Sequence, residues 1–238
     1  MCKRILLIGR LPFLLATMLV LSACATTTDS LDERDPWEGF NRGVYAFNET
    51  ADKYLLDHIA RGYDAITPDF LDNGISNFFS NLGLIPGFAN DLLQLKFDKA
   101  VNDLVRFMIN SSWGLLGFND IVGSAVPDGD EDFGQTLAHW GVGSGPYLVL
   151  PFLGPSTIRD TTGFAVDSLM SPVTHLDSDE LLMGLIALNA VDIKSDLLSA
   201  RDVVGEAAID QYDFIKNAFF EKRKDQINDG AMEDFPFE

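Results

Sequence analysis

The chain has 238 residues, with 36 acidic against 17 basic side chains for a formal net charge of −19, yet 47% of it is hydrophobic and 18 residues are phenylalanine. Such acidity excludes nucleic acid as a partner and electrostatic docking on anionic lipid, and the aromatic content excludes a disordered acidic polymer. About 200 residues fit one domain with a full core.

In chain order, Lys3, Arg4 and Arg10 precede and enter an apolar run that ends Leu21-Ser22-Ala23-Cys24. A basic start, an apolar run and small residues make a secretory signal peptide over residues 1–23, too short and too interrupted for a spanning helix. The last four residues resemble the bacterial lipobox, so Cys24 is expected to become the acylated N-terminus, with Ala25 rather than Asp after it favouring the outer membrane. Removal of the leader leaves 215 residues at net charge −22, because three basic and no acidic residues depart. Cys2 leaves with the leader and Cys24 goes to the lipid, so no thiol remains for a disulfide, a metal or catalysis.

Residues 24–34 read as the lipidated Cys and a polar tether, and the domain is expected over 35–228. Asp35-Pro36-Trp37-Glu38 opens a helix, with Asp35 suited to the N-cap, Pro36 to the first turn and Glu38 to a capping box. On a helical wheel Phe40, Val44, Phe47, Ala51, Tyr54 and Leu55 share one face. Asn41, Tyr45, Asn48 and Asp52 form a stripe beside it. That stripe is either the solvated neighbour of a core face or the wall of a cavity; its uncharged hydrogen-bonding groups favour the cavity. Residues 73–90, with the breaker Pro86-Gly87, predict short helices joined by turns. Asp98 caps a helix with Val101, Leu104, Val105, Met108 and Ile109 at helical spacing and Asn102, Arg106 and Asn110 elsewhere on the wheel. Residues 113–126 are apolar but broken by Gly114, Gly117 and Gly123, and are either core or membrane-facing. Asp128 to Asp132 is a solvated turn; its spacing does not match an EF-hand. Residues 141–155, rich in Gly and Pro, predict irregular apolar chain. Helices resume from Ser156 through Leu169 and from Ser178 past Leu198. A final helix carries Ile209, Tyr212, Ile215 and Phe219, with Lys222, Arg223 and Lys224 where the helix dipole favours cations. The tail, 229–238, is acidic.

Little here points to bond-making chemistry. The glycines of 141–145 match neither G-x-G-x-x-G nor a P-loop. Ser144 lies between glycines without the G-x-S-x-G elbow; with His139 nearby, a lipoprotein phospholipase is the enzymatic alternative, and a structural tether between outer-membrane proteins is another. His58, His139 and His175 have no metal-ligand spacing. Arg159-Asp160 is an adjacent ion pair, and Arg159 is a candidate contact for a phosphate head group.

Asp35-Pro36-Trp37-Glu38-Gly39-Phe40-Asn41-Arg42 with Tyr45 and Phe47-Asn48 resembles the opening of the MlaA/VacJ lipoproteins. Asn90-Asp91-Leu92-Leu93-Gln94, Arg106-Phe107 with Asn110, and Asp132 to Leu137 match in the same order. So do Trp140 to Gly143, Gly145 to Pro151, Gly154-Pro155-Ser156 and Arg159-Asp160. The match runs from residue 35 to about 223 and is loosest in the final helix. The resemblance implies an all-α, single-domain ring embedded in the inner leaflet of the outer membrane, apolar outside, with a central amphipathic channel. It implies removal of phospholipid misplaced in the outer leaflet, beside a trimeric porin, and hand-over to a periplasmic lipid-binding shuttle, with no cofactor, metal or catalysis. Asn41, Tyr45, Phe47 and Asn48 would then face or gate the path. Gly141, Gly143, Gly145, Pro146, Tyr147, Pro151, Gly154 and Pro155 would form its wall, and Arg159 would meet the head group.

Overall fold

The computed structural model describes residues 32–126, 129 and 131–230; the leader, Cys24, most of the tether, part of the acidic turn and residues 231–238 lie outside that range. The elements are α1 (Glu38–Ala51), a π-helical turn (Asp52–Leu56), α2 (Asp57–Ile66), α3 (Asp69–Leu93), α4 (Phe97–Ser112), α5 (Phe133–His139), β1 (Tyr147–Leu150), β2 (Gly154–Thr157), α6 (Ile158–Met170), α7 (Asp179–Ala207) and α8 (Gln211–Ile227). α3 packs on α4, α5 on α6 and α2 on α7, while the antiparallel β1–β2 hairpin lies against α1 and α8.

Several local expectations change. Residues 73–90 are part of one 25-residue helix with Pro86 inside it. Proline there removes a helical hydrogen bond, a cost of about 3 kcal/mol, but α3 is held along α4. Gly87 makes that approach close enough that a Cβ would sit 2.9 Å from the Asp103 carboxylate. Residues 141–146 are irregular as expected, but from Tyr147 the chain forms a hairpin, in register Tyr147 to Thr157 and Leu150 to Gly154. Helix α1 starts two residues later than its capping pattern suggested. Asp35 does not cap it; its carboxylate is buried and accepts from Asn41 Nδ2 at 2.7 Å and from the Tyr212 hydroxyl. Glu38 pairs with Arg42 at 2.7 Å instead of reaching back. Asp98 lies in the first turn of α4, with Lys96 at the cap position.

Which side faces in is the largest correction. In α4, Asp103, Arg106 and Asn110 are buried, while Val101 and Met108 are 57% and 59% exposed. In α1, Asn41 is buried and Phe47 is exposed, and in the π-helical turn after it Tyr54 and Leu55 are exposed, so that end of the apolar face read as core points outward, while Val44 packs inward. Among the described residues, seven hydrophobic side chains are buried against nineteen polar or charged ones. Water-soluble domains distribute side chains the other way, and exposing a large apolar side chain to water forgoes about 1.5–3 kcal/mol. An outside of this kind suits lipid. No described helix is long and apolar enough to cross a membrane.

The apolar core that does exist is small. Tyr147, Val149 and Tyr212 pack with Val44, Tyr45, Phe219 and Phe220, tying the hairpin to α1 and α8. Elsewhere the helices meet through polar contacts. Asp192 on α7 accepts from Tyr63 on α2 and Ser76 on α3 at 3.0 and 2.9 Å. Lys194 and Arg201 on α7 reach Asp52 and Asp57 at 2.7 and 2.5 Å.

Candidate functional site

The uncharged stripe of α1 proves to be a clamp on the hairpin. Asn41 Nδ2 donates to the Tyr147 carbonyl at 3.0 Å and Asn41 Oδ1 accepts from the Val149 amide at 2.9 Å. Two helical turns on, Asn48 Nδ2 donates to the Leu150 carbonyl at 2.9 Å and Asn48 Oδ1 accepts from the Phe152 amide at 2.8 Å. Two side-chain amides thus stand in for a neighbouring strand along β1. Asn41 is wholly buried with its amide consumed, so the expectation that it lines an open path is not met. Tyr45, between them, is half-buried against Tyr212 with ring centroids 5.7 Å apart, and burial first, then nearby carboxylates, pushes its hydroxyl up to about 12.

Beyond the clamp the hairpin ends in Pro151, Phe152 and Leu153. Phe152 has φ 63° and is 58% exposed, and its ring meets that of Phe47 edge-on at 5.3 Å. Phe47 and Asn48 therefore both hold the tip, one by packing and one by hydrogen bonds. Gly145 and Gly154 adopt φ values of 67° and 83°, open to glycine at little cost; Gly141, at φ 85°, and Gly143 lie exposed in the approach. Pro155 faces Val149 across the ladder, and the Pro146 carbonyl accepts from the first amide of α6 at 3.2 Å. Tyr147, placed at a channel wall from the sequence, is 1% exposed and belongs to the aromatic core.

Arg159 is 7% exposed, beside the junction of β2 and α6. Its Nε donates to Asp160 Oδ1 at 2.9 Å, and Arg223 Nη2 donates to the same oxygen at 2.9 Å. Arg223 also clasps Asp132 with both terminal nitrogens. Burial works to raise the Asp132 carboxyl, but this grip outweighs it and holds the group below the usual carboxylate range. Two adjoining cavities of about 240 Å3 open around this corner. Ser144 donates only to the carbonyl of Gly145, at 3.2 Å, and no hydrogen bond joins it to the exposed His139, so the pair lacks the geometry of a nucleophile and its base.

A second polar cluster lies where α3 meets α4. Asp91, Asp103 and Glu131 are buried together, Lys96 and Lys99 bridge Glu131 to Asp229, and both Asp91 oxygens lack a hydrogen-bond partner. Burial, then the carboxylates of Asp103 and Glu131, push Asp91 up to about 7. The described residues hold no group of three or more His, Cys, Asp or Glu arranged for a metal.

The outer surface carries apolar loop tips of unusual backbone. Leu95, Leu115 and Leu116 have φ of 62°, 56° and 61° and are 70%, 71% and 68% exposed. Left-handed backbone costs a leucine about 1–2 kcal/mol. Asn110 pins the 113–126 loop from inside, its Oδ1 taking the Ile121 amide at 2.9 Å and its Nδ2 donating to Asp120.

The MlaA lipoprotein family model matches residues 33–226. The chain belongs to the MlaA family. A protein of Escherichia coli (strain K12), the intermembrane phospholipid transport system lipoprotein MlaA, is 32% identical over 223 residues, covering 92% of this chain and 88% of that one. The protein of that name in Haemophilus influenzae is 30% identical over 226 residues, with 92% and 90% covered. A Rickettsia typhi protein is 36% identical over 203 residues, with 83% and 79% covered. A solved structure concerned with maintenance of bacterial outer membrane lipid asymmetry superimposes with a TM-score of 0.72 at 30% identity, over 82% of this chain and 99% of that chain. The ring-like helical fold is therefore the fold of this chain, with the hairpin as the one small sheet among the described residues.

Within that family fold, reasoning from sequence missed Arg223 and the Asp91–Asp103–Glu131 cluster. A signal existed for Asp91, which sits inside the Asn90-to-Gln94 run that carries the resemblance. Arg223 was read only as a cation suited to a helix end.

Proposed function

We propose that the chain is a lipid-anchored outer-membrane protein that draws misplaced phospholipid from the outer leaflet through a polar path inside an apolar ring. It stands beside a trimeric porin and passes the lipid to a soluble periplasmic carrier. The observation that carries this reading is the inverted distribution of side chains: polar groups hold the interior and large apolar groups the outside. Irregular backbone and polar side chains are tolerated at membrane depth where protein or a wet cavity surrounds them. Cys24 supplies the anchor, since acyl chains at about 0.8 kcal/mol per buried methylene suffice without a spanning helix. The apolar tips at Leu95, Leu115–Leu116 and Phe152–Leu153 are the parts that meet acyl chains. Phe47 and Asn48 act as a gate through the hairpin tip they hold, and Arg159 meets a head group.

The test is complementation of a strain lacking this protein, with outer-leaflet phosphatidylethanolamine read by a membrane-impermeant amine reagent. Wild type lowers the labelling, Ser144→Ala lowers it equally, and Phe47→Ala or Asn48→Ala changes it while the protein remains folded and present. Labelling that wild type leaves unchanged would refute transport.

A further inference from the structure

In a chain of net charge −19, Lys222, Arg223 and Lys224 follow one another on the last turns of α8. The two cavities beside them share Asp160 and Arg223. Arg159 and Lys224 line the second, where with Arg223 they set three cations against the one carboxylate of Asp160; Asp132 and Asp167 line the first together with Phe164, Phe219 and Lys222. One oxygen of Asp160 holds the guanidinium groups of Arg159 and Arg223 side by side, so both cations are fixed before any ligand arrives. Arg223 is 8% exposed, and its Nε–H is buried with no acceptor in the protein. A buried charged donor left open can take an acceptor from outside the chain, a water or a ligand oxygen. The first turn of α6, which contributes Arg159, adds the positive end of its dipole. Asn228 supplies a neutral amide at the rim of the second cavity.

An acceptor-rich anion suits these donors, and Phe164 and Phe219 alongside suit methylene groups. At about 240 Å3 each, the cavities are smaller than the ~300–1,000 Å3 that encloses a whole drug-sized ligand. A head group fits inside and acyl chains stay outside. We propose that the second cavity seats the phosphodiester of a phospholipid, with Arg223 and Lys224 turned to the phosphate, and that the first methylenes lie along Phe219 in the adjoining cavity. This rests on the transport reading and gives the lipid a resting place on α8, apart from the hairpin tip.

The seat is tested on the full-length acylated protein in a non-ionic detergent, by calorimetric titration with three probes: dihexanoyl phosphatidylethanolamine, dihexanoylglycerol and inorganic phosphate. Wild type binds the phospholipid and binds the phosphate-free diglyceride at least ten-fold more weakly. Lys224→Gln weakens phospholipid binding about ten-fold, the loss that one charge-assisted hydrogen bond gives, with an unchanged unfolding temperature. Asn228→Ala is the second variant and weakens it in the same direction. Wild-type affinity in both variants would overturn the seat while leaving transport standing. No phospholipid binding by wild type would overturn the transport reading with it. Inorganic phosphate binding as tightly as the phospholipid would overturn the lipid assignment.

Discussion

Replacing Asp91 by Asn tests whether the α3–α4 junction stores a proton. Asp91 is fully buried, has no hydrogen-bond donor to either oxygen, and faces Asp103 on α4 and Glu131 from the acidic turn, with Lys96 and Lys99 on the far side of Glu131. Its carboxyl, ordinarily near 3.8, stands at about 7. The folded state therefore holds the proton more tightly than the unfolded state. Between pH 4 and 7 the native protein binds more protons than the unfolded chain, so its stability falls as pH rises through this window and levels above it. At ~1.4 kcal/mol per pH unit the whole effect is at most ~4 kcal/mol. Asn keeps the shape and cannot ionise. Urea unfolding in detergent, followed by tryptophan fluorescence from pH 5 to 8.5, should give Asp91→Asn an advantage over wild type that widens by ~2–3 kcal/mol between pH 5 and pH 8, from ~1–2 kcal/mol to ~4 kcal/mol. A difference that stays flat with pH would refute the buried-proton account.

Two further predictions concern the clamp and the outer surface. Asn41→Ala strips hydrogen bonds from Tyr147, Val149 and Asp35 inside the protein; at ~1–3 kcal/mol per stranded group the variant should lose ~3–5 kcal/mol and the Val149 amide should exchange quickly with deuterium. A loss under ~1 kcal/mol would mean that the aromatic core alone holds the hairpin. The double change Leu115→Gly with Leu116→Gly removes two side chains from left-handed backbone, a relief of ~1–2 kcal/mol each. Stability in detergent should hold or rise, while flotation of the non-acylated Cys24→Ala protein with liposomes should weaken, each leucine having contributed ~1.5–3 kcal/mol. Flotation equal to that of the parent would remove this loop from the membrane-contacting surface.

Much of the helical layout was legible because 3.6-residue periodicity does not depend on which solvent a face meets. The sign of each face was not legible for the same reason. Val101, Leu104 and Met108 in α4 and Phe47 in α1 stand at the spacing a buried face would show, and only the three-dimensional arrangement turns them outward. The polar stripe of α1 carried a better clue: Asn41, Tyr45 and Asn48 are hydrogen-bonding groups without charge, unsuited to a plain solvated face. The partner of that stripe lay about a hundred residues away in β1, a separation no local pattern reveals. The hairpin was hidden likewise, since its edge is completed by side-chain amides and its strands are four residues each. Pro86 misled because propensity is overridden when a helix is gripped along its length, here by α4 against Gly87. Arg159 stood out in the sequence beside Asp160, whereas Arg223, its neighbour across Asp160, stands 64 positions later in the loosest part of the family match.

The inversion also accounts for what holds the helices together. Where lipid covers the outside, burying apolar side chains between helices contributes little, because acyl chains receive them equally well; packing and interhelical hydrogen bonds must carry the association. The contacts between α7 and its neighbours fit that rule, with Asp192 joined to Tyr63 and Ser76, and Lys194 and Arg201 joined to Asp52 and Asp57. Buried ions are costly unless paired, so these partners appear as networks. On the transport reading proposed above, the same arrangement would prepare the protein for an amphiphile. An interior assembled from hydrogen-bonding groups can exchange a side-chain partner for a head group at small net cost, while an exterior of leucine, phenylalanine and tryptophan accepts acyl chains without rearrangement.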